Sequence, residues 1–400
     1  MCPMLSFEQA RDWLLERAQP LSATEQVELL AAAGRVLAEP VLATLDVPPH
    51  DNSAMDGYAL RADEQAAAMP VSQRVPAGSV PQALIAGSVA RIFTGAPIPP
   101  GADAVIMQEQ AETAADGTVS FSQPASAGQN IRRRGEDIRA GQEILPAGKV
   151  LNPADIGLAA SIGVETLTVR RPLRVAVFFT GDELVEPGRP LAAGQIYNSN
   201  RYWLTPALMR LGCEVIDLGI VRDSLGATRE ALRDAADAAD VIMTCGGVSV
   251  GEEDHVKAAV EAEGSLDLWK LAIKPGKPLA YGKVGQADFI GLPGNPVSGF
   301  VTFQVLARAF LERRAGLPVS ALAPEGPYPA AFDWTRPDAR RSEFIRVRRV
   351  CVDGRWQLEL YPQQGSGVLM SCAWADGLVR LEPGQAVARG DMLAYLPLVQ

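Results

Sequence analysis

Between Leu173 and Gly316 the chain alternates short apolar runs with amphipathic stretches, and this alternation constrains the fold more than any other feature of its 400 residues. The runs Arg174 to Phe179, Glu214 to Val221, Asp240 to Cys245 and Leu266 to Ile273 read as strands. Helical patterns fall between and after them, near Asn200 to Leu211, Ser224 to Ala239, Glu252 to Glu263 and Pro296 to Arg314. Strands joined by connections long enough to hold a helix pack as a parallel sheet covered on both faces. The segment is therefore predicted to be a doubly wound, mainly parallel α/β domain, whose ligands bind beyond the carboxyl ends of the strands.

The flanks read differently. Ser6-Phe-Glu-Gln9 is a capping-box pattern ahead of an amphipathic run to about Ala18, and Ser22-Ala-Thr-Glu25 repeats it, predicting a second helix that ends at Gly34. From Val41 to Val150, short apolar runs such as Ala104 to Met107 and Val119 to Phe121 are punctuated by Pro, Gly and Asp-Gly, as in a β-rich insertion. Asn152-Pro153 opens another helix, which Gly163 stops. Beyond Leu317 a Pro/Ala-rich linker leads to alternating runs, Phe344 to Val350 and Trp356 to Tyr361, typical of a small all-β domain. The predicted class is α/β plus β in several domains.

A formal net charge of −10 opposes general affinity for nucleic acid or an anionic membrane. The five cysteines, Cys2, Cys213, Cys245, Cys351 and Cys372, are scattered without C-x-x-C spacing, so neither a disulfide framework nor a zinc knuckle is indicated. With only His50 and His255 present, a multi-histidine zinc site is excluded. No secretory leader or bilayer-length apolar run is legible, so a cytoplasmic, unexported protein is expected.

Each predicted strand of the α/β segment empties into residues suited to chemistry. The first gives Thr180-Gly-Asp-Glu-Leu184, the second Arg222-Asp223, the third GGVSVGEEDH from Gly246 to His255, and the fourth Ile273-Lys-Pro-Gly-Lys-Pro278. Glu183, Asp223 and Asp254 offer hard oxygen ligands of the kind Mg²⁺ prefers, while Lys270, Lys274 and Lys277 suit a phosphate. A single loop acid is more often a cap or a solvated surface group. Their recurrence at successive strand ends favours a site. Gly291-Leu-Pro-Gly-Asn-Pro-Val-Ser-Gly299 opens a helix whose first N–H groups lack intrahelical partners, which makes either an anion cradle or an ordinary proline-capped start. No Walker loop or dinucleotide fingerprint occurs. Gly247-Val-Ser-Val-Gly251 matches a serine nucleophile elbow around Ser249, but no distal histidine follows to complete a triad.

Outside that segment, Asp51 to Leu60 and Phe93 to Gly101 mix turn formers with apolar residues. Asn130-Ile-Arg-Arg-Arg-Gly-Glu-Asp-Ile138 concentrates three arginines in an acidic chain. Such a cluster serves as a solvated strand edge or grips an oxyanion.

Taken together, DNSAMDGYA, FTGAPIPPGADAVIMQE, NIRRRGEDI, TGDEL, GGVSVGEED, IKPGKP and GLPGNPVS resemble, in order and over essentially the whole chain, the molybdopterin molybdenumtransferase family, the MoeA type that includes the gephyrin E domain. Departures are small: Phe179 stands where serine is frequent, and His255 where an aromatic residue is common. The resemblance implies a four-part, L-shaped subunit: residues 1–44 with 140–170 as a helical and extended linking part, 45–139 as a β-rich insertion, 171–317 as the α/β molybdopterin-binding domain and 318–400 as a small β-barrel. It implies a stand-alone homodimer with the cleft shared between subunits, and a possible handover from an adenylyltransferase.

The implied reaction inserts molybdate into adenylylated molybdopterin, releasing AMP, with Mg²⁺ offsetting phosphate charge. By motif matching, the residues expected to act in catalysis are Asp56, Thr94, Glu183, Asp254, Lys270 and Lys274, with Glu183, Asp223 and Asp254 at the metal. Arg132, Asp137, Gly246, Gly247, Ser249, Lys277, Pro293, Gly294, Asn295, Pro296, Arg346 and Ser366 are expected to bind substrate. Since the substrate's dithiolene sulfurs ligate molybdenum, no protein cysteine is needed. Two rivals stand beside this reading: an adenylyltransferase, whose fold resembles the α/β part alone, and a non-catalytic scaffold.

Overall fold

The computed structural model describes residues 4–247, 255–316 and 324–398. The chain divides into two compact units, one made of Met1–Glu25, Gly34–Val36 and Arg170–Gln400, the other of Gln26–Ala33 and Leu37–Val169.

The larger unit is built on a seven-stranded sheet. In chain order its strands are β1 (Met4–Leu5), β2 (Arg174–Thr180), β3 (Glu214–Val221), β4 (Val241–Cys245), β5 (Gly264–Leu271), β6 (Pro278–Val284) and β7 (Ala287–Leu292), and across the sheet they run β1-β5-β6-β7-β4-β2-β3. All neighbours pair in parallel except β6, which is antiparallel to both β5 and β7. Reversal of that one strand leaves the carboxyl ends of β2, β3, β4, β5 and β7 on a single edge, as the predicted sheet requires. The β6–β7 hairpin is not legible in the apolar pattern, because Pro278 and Gly282 interrupt it and β7 is buried at every position.

Strand β2 shows why the sheet is buried on both faces. Val175, Val177 and Phe179 join one core with Leu14, Leu204 and Phe310, while Ala176 and Phe178 join another with Leu232, Val256 and Phe289. Successive side chains of a strand point to opposite faces, so a continuous apolar run is what a sheet sandwiched between helices needs. The covering helices are α1 (Phe7–Arg17), α2 (Ser199–Arg210), α3 (Leu225–Ala238), α4 (His255–Glu263) and α5 (Pro296–Thr302), the last continuing through a π-helical turn, Phe303–Ala307, into α6 (Arg308–Arg314). The predicted capping box is made: Ser6 Oγ accepts from the Gln9 N–H, and the Gln9 amide accepts from the Ser6 N–H.

A second sheet in this unit runs in the order Ile273–Lys274, Ser342–Val352, Gly377–Leu381, Met392–Pro397, Glu325–Pro329, with Arg355–Leu360 also paired to Ser342–Val352. It encloses its own core of Ile345, Val347, Leu358, Val379, Leu381 and Tyr395. Its first strand belongs to the loop after β5, so Ile273 and Lys274 pair in parallel with Ser342 and Glu343.

The smaller unit holds a six-stranded sheet ordered Ala104–Met107, Gly57–Leu60, Val89–Ile92, Met69–Val75, Thr118–Phe121, Ala111–Thr113. The helix Pro153–Ser161 starts at Asn152 as predicted. The helix predicted from Ser22 to Gly34 does not form. Thr24–Glu28 is a strand paired with Thr166–Arg170, and only Leu29–Ala31 makes a 3-10 turn. Pairing with a distant strand outweighs a local capping signal, which carries about 1 kcal/mol. No described helix is long and apolar enough to cross a membrane.

Candidate functional site

At the carboxyl edge of the sheet, a cavity of ≈ 560 Å³ is lined by Gly246 and Gly247 after β4, by Lys274 to Pro278 after β5, by Pro293, Gly294, Asn295 and Ser298 after β7, and by Arg341, Gln364, Gly365 and Ser366 from the C-terminal sheet domain. Five segments far apart in sequence meet there because β4, β5 and β7 all end on this edge and the C-terminal domain is stitched to it by the Lys274–Glu343 pairing.

Two backbones pack closely at the neck of the cavity. A Cβ added to Gly294 would sit 3.3 Å from the Cα of Gly246, and Gly246 itself has φ +99°, so neither position accommodates a side chain without movement. Asn200, at the start of α2, holds the Gly294 loop: its Nδ2 donates to the Gly294 carbonyl at 2.8 Å, and its Oδ1 accepts from Trp203 Nε1 at 3.0 Å. Helix α5 begins directly behind the loop at Pro296, and its Val297 N–H donates to the Ser366 carbonyl at 3.1 Å. This contact ties the Gly365-Ser366 wall to the start of the helix.

The charged side chains lining the cavity, Lys274, Lys277 and Arg341, are all cationic. Lys277 is exposed and has no ion-pair partner among the described residues. Lys274 Nζ pairs with Glu343 Oε1 at 2.9 Å. Arg341 is held by Asp338, whose Oδ2 accepts from Nε at 3.0 Å and Nη2 at 2.6 Å, and that pairing keeps the Asp338 carboxyl below the usual range. Ser298, almost fully buried, and Ser366 add hydroxyls. Such a set of fixed donors and cations suits a small, multiply charged oxyanion.

Behind Lys274 lies a smaller cavity of ≈ 260 Å³, lined by Lys274, Pro275, Trp334, Glu343, Phe344, Ile345, Arg346, Gln364 and Gly365. Arg346 is 1 % exposed. Its guanidinium donates only to neutral acceptors, Ser371 Oγ at 3.1 Å and the carbonyls of Phe344 and Gly365 at 3.2 and 3.3 Å. Burial pushes it down to about 10, which leaves it charged at neutral pH. Arg346 does not line the main cavity, but the Gly365 whose carbonyl it bonds does.

The remaining predicted residues fall into three groups. Glu183 and Asp223 stand just beyond β2 and β3, whose last residues Thr180 and Val221 are paired, so the two carboxylates follow neighbouring strand ends. Neither lines the cavity; nor do Lys270, at the end of β5, and Pro296, the first residue of α5. Ser249 and Asp254 lie outside the described residues. No group of three metal-binding side chains occurs among the described residues.

Asp56, Thr94, Arg132 and Asp137 belong to the smaller unit. There Asp56 Oδ1 accepts from both the N–H and the Oγ1 of Thr94, each at 2.7 Å. These bonds, with Arg91 nearby, hold the Asp56 carboxyl below the ordinary carboxylate range. The Gly95 N–H donates to the Ser53 carbonyl, and Asn52 and Ser53 pair with Arg132 and Ile131, so three separate motifs converge on one face. Of the three arginines, Arg133 pairs with Asp51 and Arg134 with Asp46, each at 2.6 Å. Arg132 is exposed with no carboxylate partner among the described residues, and Asp137 is exposed nearby.

Sequence reasoning missed Asn200, Ser298, Arg341 and Gln364. Ser298 ends the quoted GLPGNPVS segment and could have been assigned with it. Arg341 sits within a run of arginines whose spacing gives no signal, and Asn200 reads as an ordinary helix-start residue.

An α/β sheet with a cationic cavity at its carboxyl edge, walled by a C-terminal β domain, defines a multi-domain α/β protein with a site suited to an anion. Three family models match: residues 5–163 the MoeA N-terminal region (domain I and II), 176–313 a probable molybdopterin binding domain, and 328–398 the MoeA C-terminal region (domain IV). The chain is similar to the molybdopterin molybdenumtransferase of Haemophilus influenzae, at 46% identity over 78% of each chain. That of Nostoc is 36% identical over 94% of this chain and 89% of its own. A solved structure of the molybdopterin biosynthesis MoeA protein from Pyrococcus horikoshii OT3 superposes with a TM-score of 0.83, at 27% identity, over 99% of this chain and 100% of that one. The chain belongs to the molybdopterin molybdenumtransferase (MoeA) family.

Proposed function

We propose that the cavity at the sheet's carboxyl edge is where molybdate is inserted into adenylylated molybdopterin, with AMP as the leaving group. The chain is a transferase of molybdenum cofactor biosynthesis. The observation that carries the specific reaction is the convergence of Lys277, Arg341, Ser298 and Ser366 on one cavity. Molybdate is a tetrahedral dianion, and four donors drawn from different elements match it better than they match a planar carboxylate. Lys274 stands at the border of both cavities, placed to meet the adenylate phosphate as it accumulates charge.

Mg²⁺ fits this reading in part. Glu183 and Asp223 supply hard oxygens from adjoining strand ends, and a cation that retains several waters needs only one or two carboxylates besides substrate phosphate. Those two residues would hold it, joined by Asp254. Bound there, it would neutralise phosphate charge. The protein's own part is to orient the anion between the lysines and Arg341 and to shield it against the Gly246-Gly294 neck.

Asp56, Thr94, Arg132 and Asp137 form a separate acidic and basic face on the smaller unit. In our reading the protein is a cytoplasmic homodimer, and this face completes the cleft of the partner subunit. An adenylyltransferase would hand over the adenylylated substrate.

The test is to incubate the purified protein with adenylylated molybdopterin, Mg²⁺ and molybdate, and to measure AMP and protein-bound molybdenum together. Molybdate-dependent AMP release is expected, and Asp254→Ala or Asp56→Ala should abolish it in a folded dimer. Undiminished turnover in both variants would overturn these roles. ATP-dependent adenylylation of molybdopterin would instead identify an adenylyltransferase.

A further inference from the structure

Glu343 is not among the residues expected from sequence, yet it governs one that is. Its side chain is 3 % exposed, and both oxygens are engaged: Oε1 takes Lys274 Nζ at 2.9 Å, while Oε2 accepts from Trp334 Nε1 and the Asp338 N–H, each at 2.9 Å. The backbones of the two residues are also paired, since Lys274 and Glu343 lie opposite each other in the parallel bridge joining the loop after β5 to the C-terminal sheet. Lys274, by contrast, is 42 % exposed. A flexible four-carbon side chain with that much freedom does not stay at a cavity wall unless something fixes its end. The Trp334 and Asp338 donors immobilise the carboxylate, and the carboxylate immobilises the ammonium.

We propose that Glu343 is a positioning residue that acts through Lys274, presenting its ammonium at the border of the two cavities so that the C-terminal domain takes part in the reaction. The proposal rests on the function given above. A buried carboxylate with a half-exposed cationic partner is poorly explained as a stabilising pair, because desolvating the acid costs much of what the pair returns. Holding one donor in a reactive geometry is a use that such an arrangement does serve.

Glu343→Gln separates charge from packing. The amide oxygen still accepts from Trp334 and Asp338, while its NH₂ faces Lys274 and cannot hold it. With wild-type protein first shown to release AMP, the Gln variant is expected to lose about tenfold in kcat with a smaller change in the molybdate KM. Amine-reactive labelling of Lys274, read by peptide mass spectrometry, should accelerate several-fold in the variant. In a Lys274→Ala background the same Glu343→Gln change should cost nothing further, because its effect passes through the missing ammonium. Glu343→Asp keeps the charge but draws it back by one methylene, and serves for the same comparison if the Gln variant does not fold. Wild-type kcat in a folded Glu343 variant, or an undiminished loss in the Lys274→Ala background, would overturn the proposal. Absence of AMP release from the wild-type protein would instead overturn the function itself, and unaltered Lys274 labelling would then still refute the anchoring.

Discussion

Thr94 closes twice on Asp56, through its backbone N–H and its hydroxyl, both reaching Oδ1 at 2.7 Å. The two residues are 38 positions apart and sit in different loops of the smaller unit. Asp56 is therefore held ionised and in one orientation by Thr94. Thr94→Val removes the hydroxyl bond and keeps the backbone one, so the Asp56 pKa should rise toward the ordinary carboxylate value, as read by carboxyl-carbon NMR titration. The sign follows from linkage. A carboxyl held low in the folded state contributes stability above its unfolded pKa and loses it as pH falls through the folded pKa, so the variant should lose that contribution at a higher pH than the wild type. An unchanged titration would show that the hydroxyl bond is not made in solution.

Asn200 holds the Gly294 loop from outside the cavity lining. Asn200→Ala frees the Gly294 carbonyl and the Trp203 indole N–H, at a cost of about 1 kcal/mol in stability measured by urea unfolding. The molybdate KM should rise more than the stability change alone would suggest, since Gly294 lines the cavity and packs on Gly246. Unchanged KM would mean that the loop holds its position by glycine packing alone.

Arg346 tests the other wall. Arg346→Met fills similar volume but leaves the Gly365 and Phe344 carbonyls and Ser371 without their donor, so the larger unit should lose roughly 2–4 kcal/mol by denaturant unfolding. A neutral or stabilised variant would show that the buried cation is dispensable to the fold.

Asp223→Asn should raise the Mg²⁺ concentration needed for half-maximal AMP release by about tenfold, with partial recovery at saturating Mg²⁺. Lys277→Met should leave that dependence alone and raise the molybdate KM. If both variants shift the Mg²⁺ curve equally, the division into metal and anion ligands fails.

Local rules read the α/β frame well. Strand β2 is legible because its apolar run is continuous, and α1 because the Ser6 and Gln9 side chains cap each other's backbones. They fail where a distant partner decides. Ser22 to Glu25 carries the same capping pattern as Ser6 to Gln9, yet Thr24–Glu28 goes to a strand because Thr166–Arg170 offers hydrogen bonds that sequence position cannot reveal. The β6–β7 hairpin is hidden for a related reason: Pro278 and Gly282 break the pattern of β6, and β7, buried at every position, shows no alternation to read.

The amino-acid sequence by itself determined which residues could do chemistry: acids and lysines following the strands, glycines where backbones must approach, and motifs that resemble one family from end to end. These are properties of residue type and local spacing. Tertiary structure alone decided which of them share a wall. It brought Arg341, Gln364 and Ser366 to Lys277 and Ser298, placed Glu343 against Lys274, and left Glu183, Asp223 and Lys270 out of the cavity lining. The physical reason is that strand pairing and the reversal at β6 set the common edge, and neither is encoded in any one segment.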